Sequence, residues 1–127
     1  MFKKRRGLRK KLHEELYAQI PNMSCLPGCS DCCCIVRFSR HEVAQISTAK
    51  ILRAIFVRFR QATTQKCPYL TKDKRCGIYP VRPFVCRLFG TSEIERLRCP
   101  KGMVPDNLLS VEESENLINQ FLQIIDL

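Results

Sequence analysis

Hydrophobic residues recur along this chain at helical spacing in several separate stretches. Leu8, Leu12, Leu16 and Ile20 fall four residues apart between basic residues and Glu14 and Glu15, which predicts an amphipathic helix stopped by Pro21. Ser39-Arg40-His41-Glu42 has the spacing of a capping box, in which the serine oxygen accepts from an early helix amide and the glutamate reaches back. A helix should follow, carrying an apolar face of Ile51 with Ile55 and of Leu52 with Phe56 and Phe59 through about Gln61, and packing over the loop before it. Ser110-Val111-Glu112-Glu113 repeats that box, and Leu117, Ile118, Phe121, Leu122 and Ile125 then form a continuous apolar stripe suited to a core.

Between these helices the pattern shortens. Thr71-Lys72-Asp73-Lys74 is a polar turn flanked by Cys67-Pro68-Tyr69-Leu70 and Arg75-Cys76-Gly77-Ile78-Tyr79, which predicts a short hairpin. Pro83 suits the first turn of a helix and Gly90 its end, so Pro83 to Phe89 reads as a short helix carrying Cys86. The expected fold is mainly α: one small domain of helices around a cysteine-rich loop and a short β-hairpin. Residues 1-20 form a basic amphipathic N-terminal helix and residues 21-127 the cysteine-cluster domain.

The chain has 127 residues, 45% of them hydrophobic and 27% charged, which is enough for one modest core. No segment approaches the roughly 18 to 20 consecutive apolar residues of a membrane-spanning helix. The net charge of +10 is unevenly placed. Lys3, Lys4, Arg5, Arg6, Arg9, Lys10 and Lys11 precede the first acid, so the N-terminal end either contacts nucleic acid or another polyanion, or serves as a solvated end. Aromatic residues are not interleaved with this run, which excludes a stacking groove for single strands there.

Nine cysteines change the picture most: Cys25, Cys29, Cys32, Cys33, Cys34, Cys67, Cys76, Cys86 and Cys99. Met1 and Phe2 lead straight into basic residues without an apolar stretch, and the cysteine number is odd, so a secreted disulfide scaffold is disfavoured. A reducing, cytoplasmic setting is expected, where clustered thiols are more often metal ligands. Cys29-Ser30-Asp31-Cys32 has the gap that lets two sulfurs converge on one centre, and Pro27 and Gly28 permit the tight backbone path. Cys67, Cys76, Cys86 and Cys99 supply single thiols, with no second two-residue pair of the kind a zinc ribbon uses. His13 and His41 are the only histidines, expected at the surface or in a capping region, so an all-sulfur site is preferred. Arg82 and Arg87 flank Cys86 and either donate to metal-bound sulfur or bond carbonyls and acids.

Cys29-x2-Cys32-Cys33, Cys67-Pro68-Tyr69-Leu70, Arg75-Cys76-Gly77-Ile78-Tyr79 and Arg82-Pro83-Phe84-Val85-Cys86-Arg87-Leu88-Phe89 together resemble the YkgJ-like CxxCxxCC cysteine-cluster family, described as zinc- or iron-chelating. The resemblance implies a ligand set of Cys25, Cys29, Cys32, Cys33, Cys67, Cys76, Cys86 and Cys99. It departs from the family at two points: three residues separate Cys25 from Cys29 instead of two, and Cys34 is additional. The roles of Cys25 and Cys34 therefore stay open.

The implied cofactor is an iron-sulfur cluster, as of the 4Fe-4S type, ahead of Zn2+. Flagellin lysine N-methylases carry a similar cassette in a longer chain, which implies a second reading: an enzyme or accessory in protein lysine methylation or electron transfer with a protein partner. The basic end suggests a third, a zinc-stabilised nucleic-acid-binding protein. No glycine-rich nucleotide loop, Ser-His-Asp pattern or paired-carboxylate site is evident in the sequence.

Overall fold

The computed structural model describes residues 2–22, 34, 36–60 and 66–125. Among these described residues five α-helices follow one another: α1 (Phe2–Ala18), α2 (Arg40–Ala44), α3 (Thr48–Arg60), α4 (Phe84–Leu88) and α5 (Val111–Ile124), with short 3-10 turns at Tyr79–Val81 and Glu95–Leu97. Among the described residues no helix is long and apolar enough to cross a membrane.

Helix α1 opposes its own macrodipole. Its first turn carries basic residues and no acid, which weakens a helix N-terminus. The exposed pairs Lys10 to Glu14 and Lys11 to Glu15, each at 3.9 Å, return only a few tenths of a kcal/mol apiece. Packing of its second half holds it instead: Leu16 is buried in the core and His13 is 1% exposed. Of the two places expected for His13, the surface or a capping region, burial excludes the first, and its ring bonds Ser39 at the N-cap of α2. His13, Leu16 and Ile20 share one face at helical spacing, and Leu8, expected on the apolar stripe, is half exposed.

The segment after Ser39 divides where one helix was expected. The Ser39 hydroxyl accepts from Glu42 N and the Glu42 carboxyl accepts from Ser39 N, so the capping box starts α2 as the sequence implies. The chain then turns at Gln45 and restarts. Ser47 provides the second start: its hydroxyl accepts from Lys50 N at 3.3 Å and its carbonyl from Ile51 N at 3.1 Å.

The second box behaves as expected, with Ser110 and Glu113 bonded reciprocally at the start of α5. Leu117, Phe121 and Ile125 from α5 meet Leu16 of α1, Phe84 and Leu88 of α4, and Leu109 in one buried cluster. Phe84 and Phe121 stack with ring centroids 4.6 Å apart. Each such side chain contributes about 1.5 to 3 kcal/mol through burial, and this cluster is what anchors α4.

In place of the expected hairpin, the described residues show one antiparallel bridge, Leu70 with Cys76, and no strand. Thr71 N donates to Arg75 O at 2.8 Å and Gly77 N to Tyr69 O at 2.9 Å, closing a tight turn through Lys74 at φ 59°. A side chain at Gly77 would put its Cβ 2.7 Å from Tyr69 O, so only glycine fits there. Beyond α4, Gly90 adopts φ 81° and ends the helix as its sequence position predicts.

Candidate metal centre

Three separate elements present cysteines toward one region. Cys67 opens the turn, Cys76 returns on its other limb, and Cys86 sits in the middle of α4. All three are half-buried thiols. Burial pushes the Cys67 thiol up, and charge on Cys76 and Cys34 would push it further. Backbone amides of Tyr69 and Leu70 work against this by bonding to the Cys67 sulfur. Pro68 has no amide proton to offer, so the two donors are the second and third residues after the cysteine, folded back by a turn in which Leu70 N also bonds Cys67 O at 3.2 Å.

The Cys86 thiol is pushed up to about 12, first by burial and then by proximity to Cys67, Cys76 and Cys34; Arg82 acts in the opposite direction. Cys34 thus belongs to the same neighbourhood as the cysteines of the second half. An edge-to-face contact of Phe38 with Tyr69, centroids 5.9 Å apart, joins its segment to the Cys67 turn. Cys99 lies beyond the 3-10 turn Glu95–Leu97, which is tied to the end of α4 by Gly90 N donating to Leu97 O at 2.6 Å. The remaining sequence candidates, Cys25, Cys29, Cys32 and Cys33, lie outside the described residues. Among the described residues no group of three His, Cys, Asp or Glu side chains is close enough to hold an ion by itself.

The donor chemistry fits a soft or borderline metal. Neutral thiols crowded away from water resist ionisation singly and together, and a metal removes that penalty by replacing their protons. The histidines are engaged elsewhere. His13 Nδ1 bonds Arg9 O at 2.7 Å and its Nε2 bonds the Ser39 hydroxyl at 2.7 Å, so both ring nitrogens are engaged. His41 packs on His13 with centroids 4.5 Å apart. Both arginines beside Cys86 bond carbonyls: Arg82 Nε donates to Tyr79 O at 3.2 Å and Arg87 Nε to Arg82 O at 2.8 Å. Their guanidinium groups lie over the rings of Tyr79 and Tyr17.

One residue that positions this region was marked by the sequence only as a helix cap. Glu42 is 1% exposed, and besides Ser39 N at 2.9 Å its carboxyl accepts from the Tyr17 hydroxyl at 2.6 Å and from Phe84 N. Phe84 is the first residue of α4 and stands two positions before Cys86. Glu42 therefore ties α1, α2 and the cysteine-bearing helix together. Burial, and then Glu42, raise the Tyr17 hydroxyl well above its ordinary range, so it stays a donor. Lys50 Nζ adds a further tie from α3, donating to Gly77 O at 2.8 Å beside Cys76.

The CxxCxxCC family model, described as "Putative zinc- or iron-chelating domain", matches residues 24–108. This chain belongs to the CxxCxxCC family. The matched span contains every cysteine from Cys25 to Cys99 together with Glu42 and α4, and leaves α1 and α5 outside. No curated protein and no solved structure was found to match the chain. The matched span includes Cys67, Cys76 and Cys86, which the fold brings into one neighbourhood.

Proposed function

We propose that this protein holds an iron-sulfur cluster through thiolates drawn from both halves of its cassette, the candidates being Cys25, Cys29, Cys32 and Cys33 in the N-terminal loop and Cys67, Cys76, Cys86 and Cys99 in the turn, α4 and the segment after it; four of these complete one cluster, so the eight are enough for two. The observation that carries the reading is the gathering of Cys67, Cys76 and Cys86, borne on the turn and on α4, within the span that the CxxCxxCC family model matches. Amide donors aimed at sulfur offset the negative charge that a bound thiolate centre accumulates. An all-sulfur donor set suits either metal, and the preference for a cluster over zinc rests on the lack of a second two-residue cysteine pair. When bound, such a cluster supplies one-electron transfer. The chain's own residues supply the frame: Glu42 fixes the start of α4, the Phe84 and Phe121 stack fixes its depth, and Gly77 allows the turn to close.

Anaerobic purification followed by iron, zinc and acid-labile sulfide analysis tests this. Iron with sulfide is the expected result. Zinc without sulfide would overturn the cluster and keep the metal site, whereas a folded chain containing neither metal would overturn both.

A further inference from the structure

Helix α3 turns an apolar face outward. Leu52 and Ile55 are each 61% exposed and Phe59 86%, and their spacing of three and four residues places them on one stripe. Ala54, the buried residue of this helix, lies on the opposite side. With successive residues turned by about 100°, exposed Arg53 and Arg58 fall on either edge of the stripe, roughly 100 to 120° from its centre. The helix carries Lys50, Arg53, Arg58 and Arg60 and no acid. The cysteine loop over which this helix was expected to pack lies outside the described residues.

A second copy of the chain is a poor occupant, since pairing two such helices would bring two sets of arginines together without a compensating acid. The basic excess also extends well past α3. Net charge is +10, and the exposed start of α1 adds Phe2 beside Lys3, Lys4, Arg5 and Arg6. A charge spread in this way matches an extended anionic plane better than a single acidic groove. Arginines at the edges of an apolar stripe can keep their guanidinium groups among headgroups while phenylalanine and leucine enter the acyl boundary. From these observations we infer that α3 docks the protein on an anionic lipid surface, lying in the plane of the interface.

The test is co-sedimentation of the full chain with vesicles of phosphatidylcholine alone and of phosphatidylcholine containing phosphatidylglycerol. Binding is expected only to the second, falling with added salt. A Leu52→Ser, Ile55→Ser, Phe59→Ser variant, altered only at exposed positions, should keep its helical content and lose at least about tenfold in binding. Arg53→Gln with Arg58→Gln should weaken the preference for anionic vesicles while the apolar stripe is kept. Failure to bind anionic vesicles would overturn the inference. So would undiminished binding by the triple variant, or a wild-type dimer that this variant dissolves, which would assign the face to a second copy. Equal affinity for soluble polyglutamate would assign it to an acidic protein.

Discussion

Substituting Glu42 by glutamine separates what the capping motif demands from what the folded protein demands. Glutamine is an accepted partner in a capping box, so from the motif alone both Glu42→Gln and Glu113→Gln should be close to neutral. Glu113 is exposed and bonds only the Ser110 amide, and its change should stay within about 0.5 kcal/mol. Glu42 is buried, with one oxygen accepting from Ser39 N and the other from both Tyr17 and Phe84 N. Whichever way the new amide turns, its NH2 group faces a buried backbone N–H that then lacks an acceptor, at a cost of about 1 to 3 kcal/mol. Alanine would orphan both backbone donors, for about 2 to 6 kcal/mol, a large part of the stability of a small domain. Urea denaturation of chelator-treated protein measures these differences without metal linkage. Metal content of the same variants should fall more for Glu42→Gln than for Glu113→Gln, because Phe84 N sets the start of the helix bearing Cys86. Equal denaturation midpoints for the two glutamine variants would refute the clamp.

Two further outcomes follow from the titrating groups. Burial, and then the neighbouring His13, lower the His41 proton affinity below its ordinary value. The unfolded chain takes that proton first, so this group's stabilising effect is complete above about pH 6.5 and is lost as pH falls below it. The urea midpoint should therefore drop between about pH 7.5 and 5.5, and drop less in His41→Gln; an identical slope in the variant would show that His41 plays no part. For the metal-free protein, a Cys86 thiol pushed up to about 12 should alkylate at least about tenfold more slowly at pH 8 when folded than in urea, read by mass spectrometry of the peptide. Comparable rates would place Cys86 in water.

Much of this architecture was legible because it is local. Two capping boxes, a proline before α4, a glycine after it and the apolar stripe of α5 each act within a few residues, and the structure contains each of them. What failed to show was set by distant partners. His13 is buried because Ser39, 26 residues away, supplies a hydroxyl to its ring, and Glu42 is buried because Tyr17 and Phe84 arrive from either side. No periodicity encodes such meetings. The break before α3 had a signal that could have been used, since Ser47 precedes a fresh helical stretch and offers a second cap. For α3 the sequence showed an apolar stripe, which specifies amphipathicity, whereas which side meets the protein is decided by packing. At the site, the spacing marked the thiols as candidate ligands, whereas the amides of Tyr69 and Leu70 beside Cys67 and the proximity of Cys34 to Cys67 and Cys86 needed the folded chain.

The central claim is that one metal centre draws thiolates from both halves of the chain, and its most direct test is the metal content of Cys32→Ser and Cys86→Ser beside the parent protein. Cys32 belongs to the N-terminal loop and Cys86 to α4, with 53 residues between them. Anaerobically prepared protein, with metal per chain measured on the folded monomeric fraction, should show each single substitution losing most of the bound metal, because a centre that draws its thiolates from both halves loses a ligand in either variant. Full metal retention in either variant would contradict a shared centre.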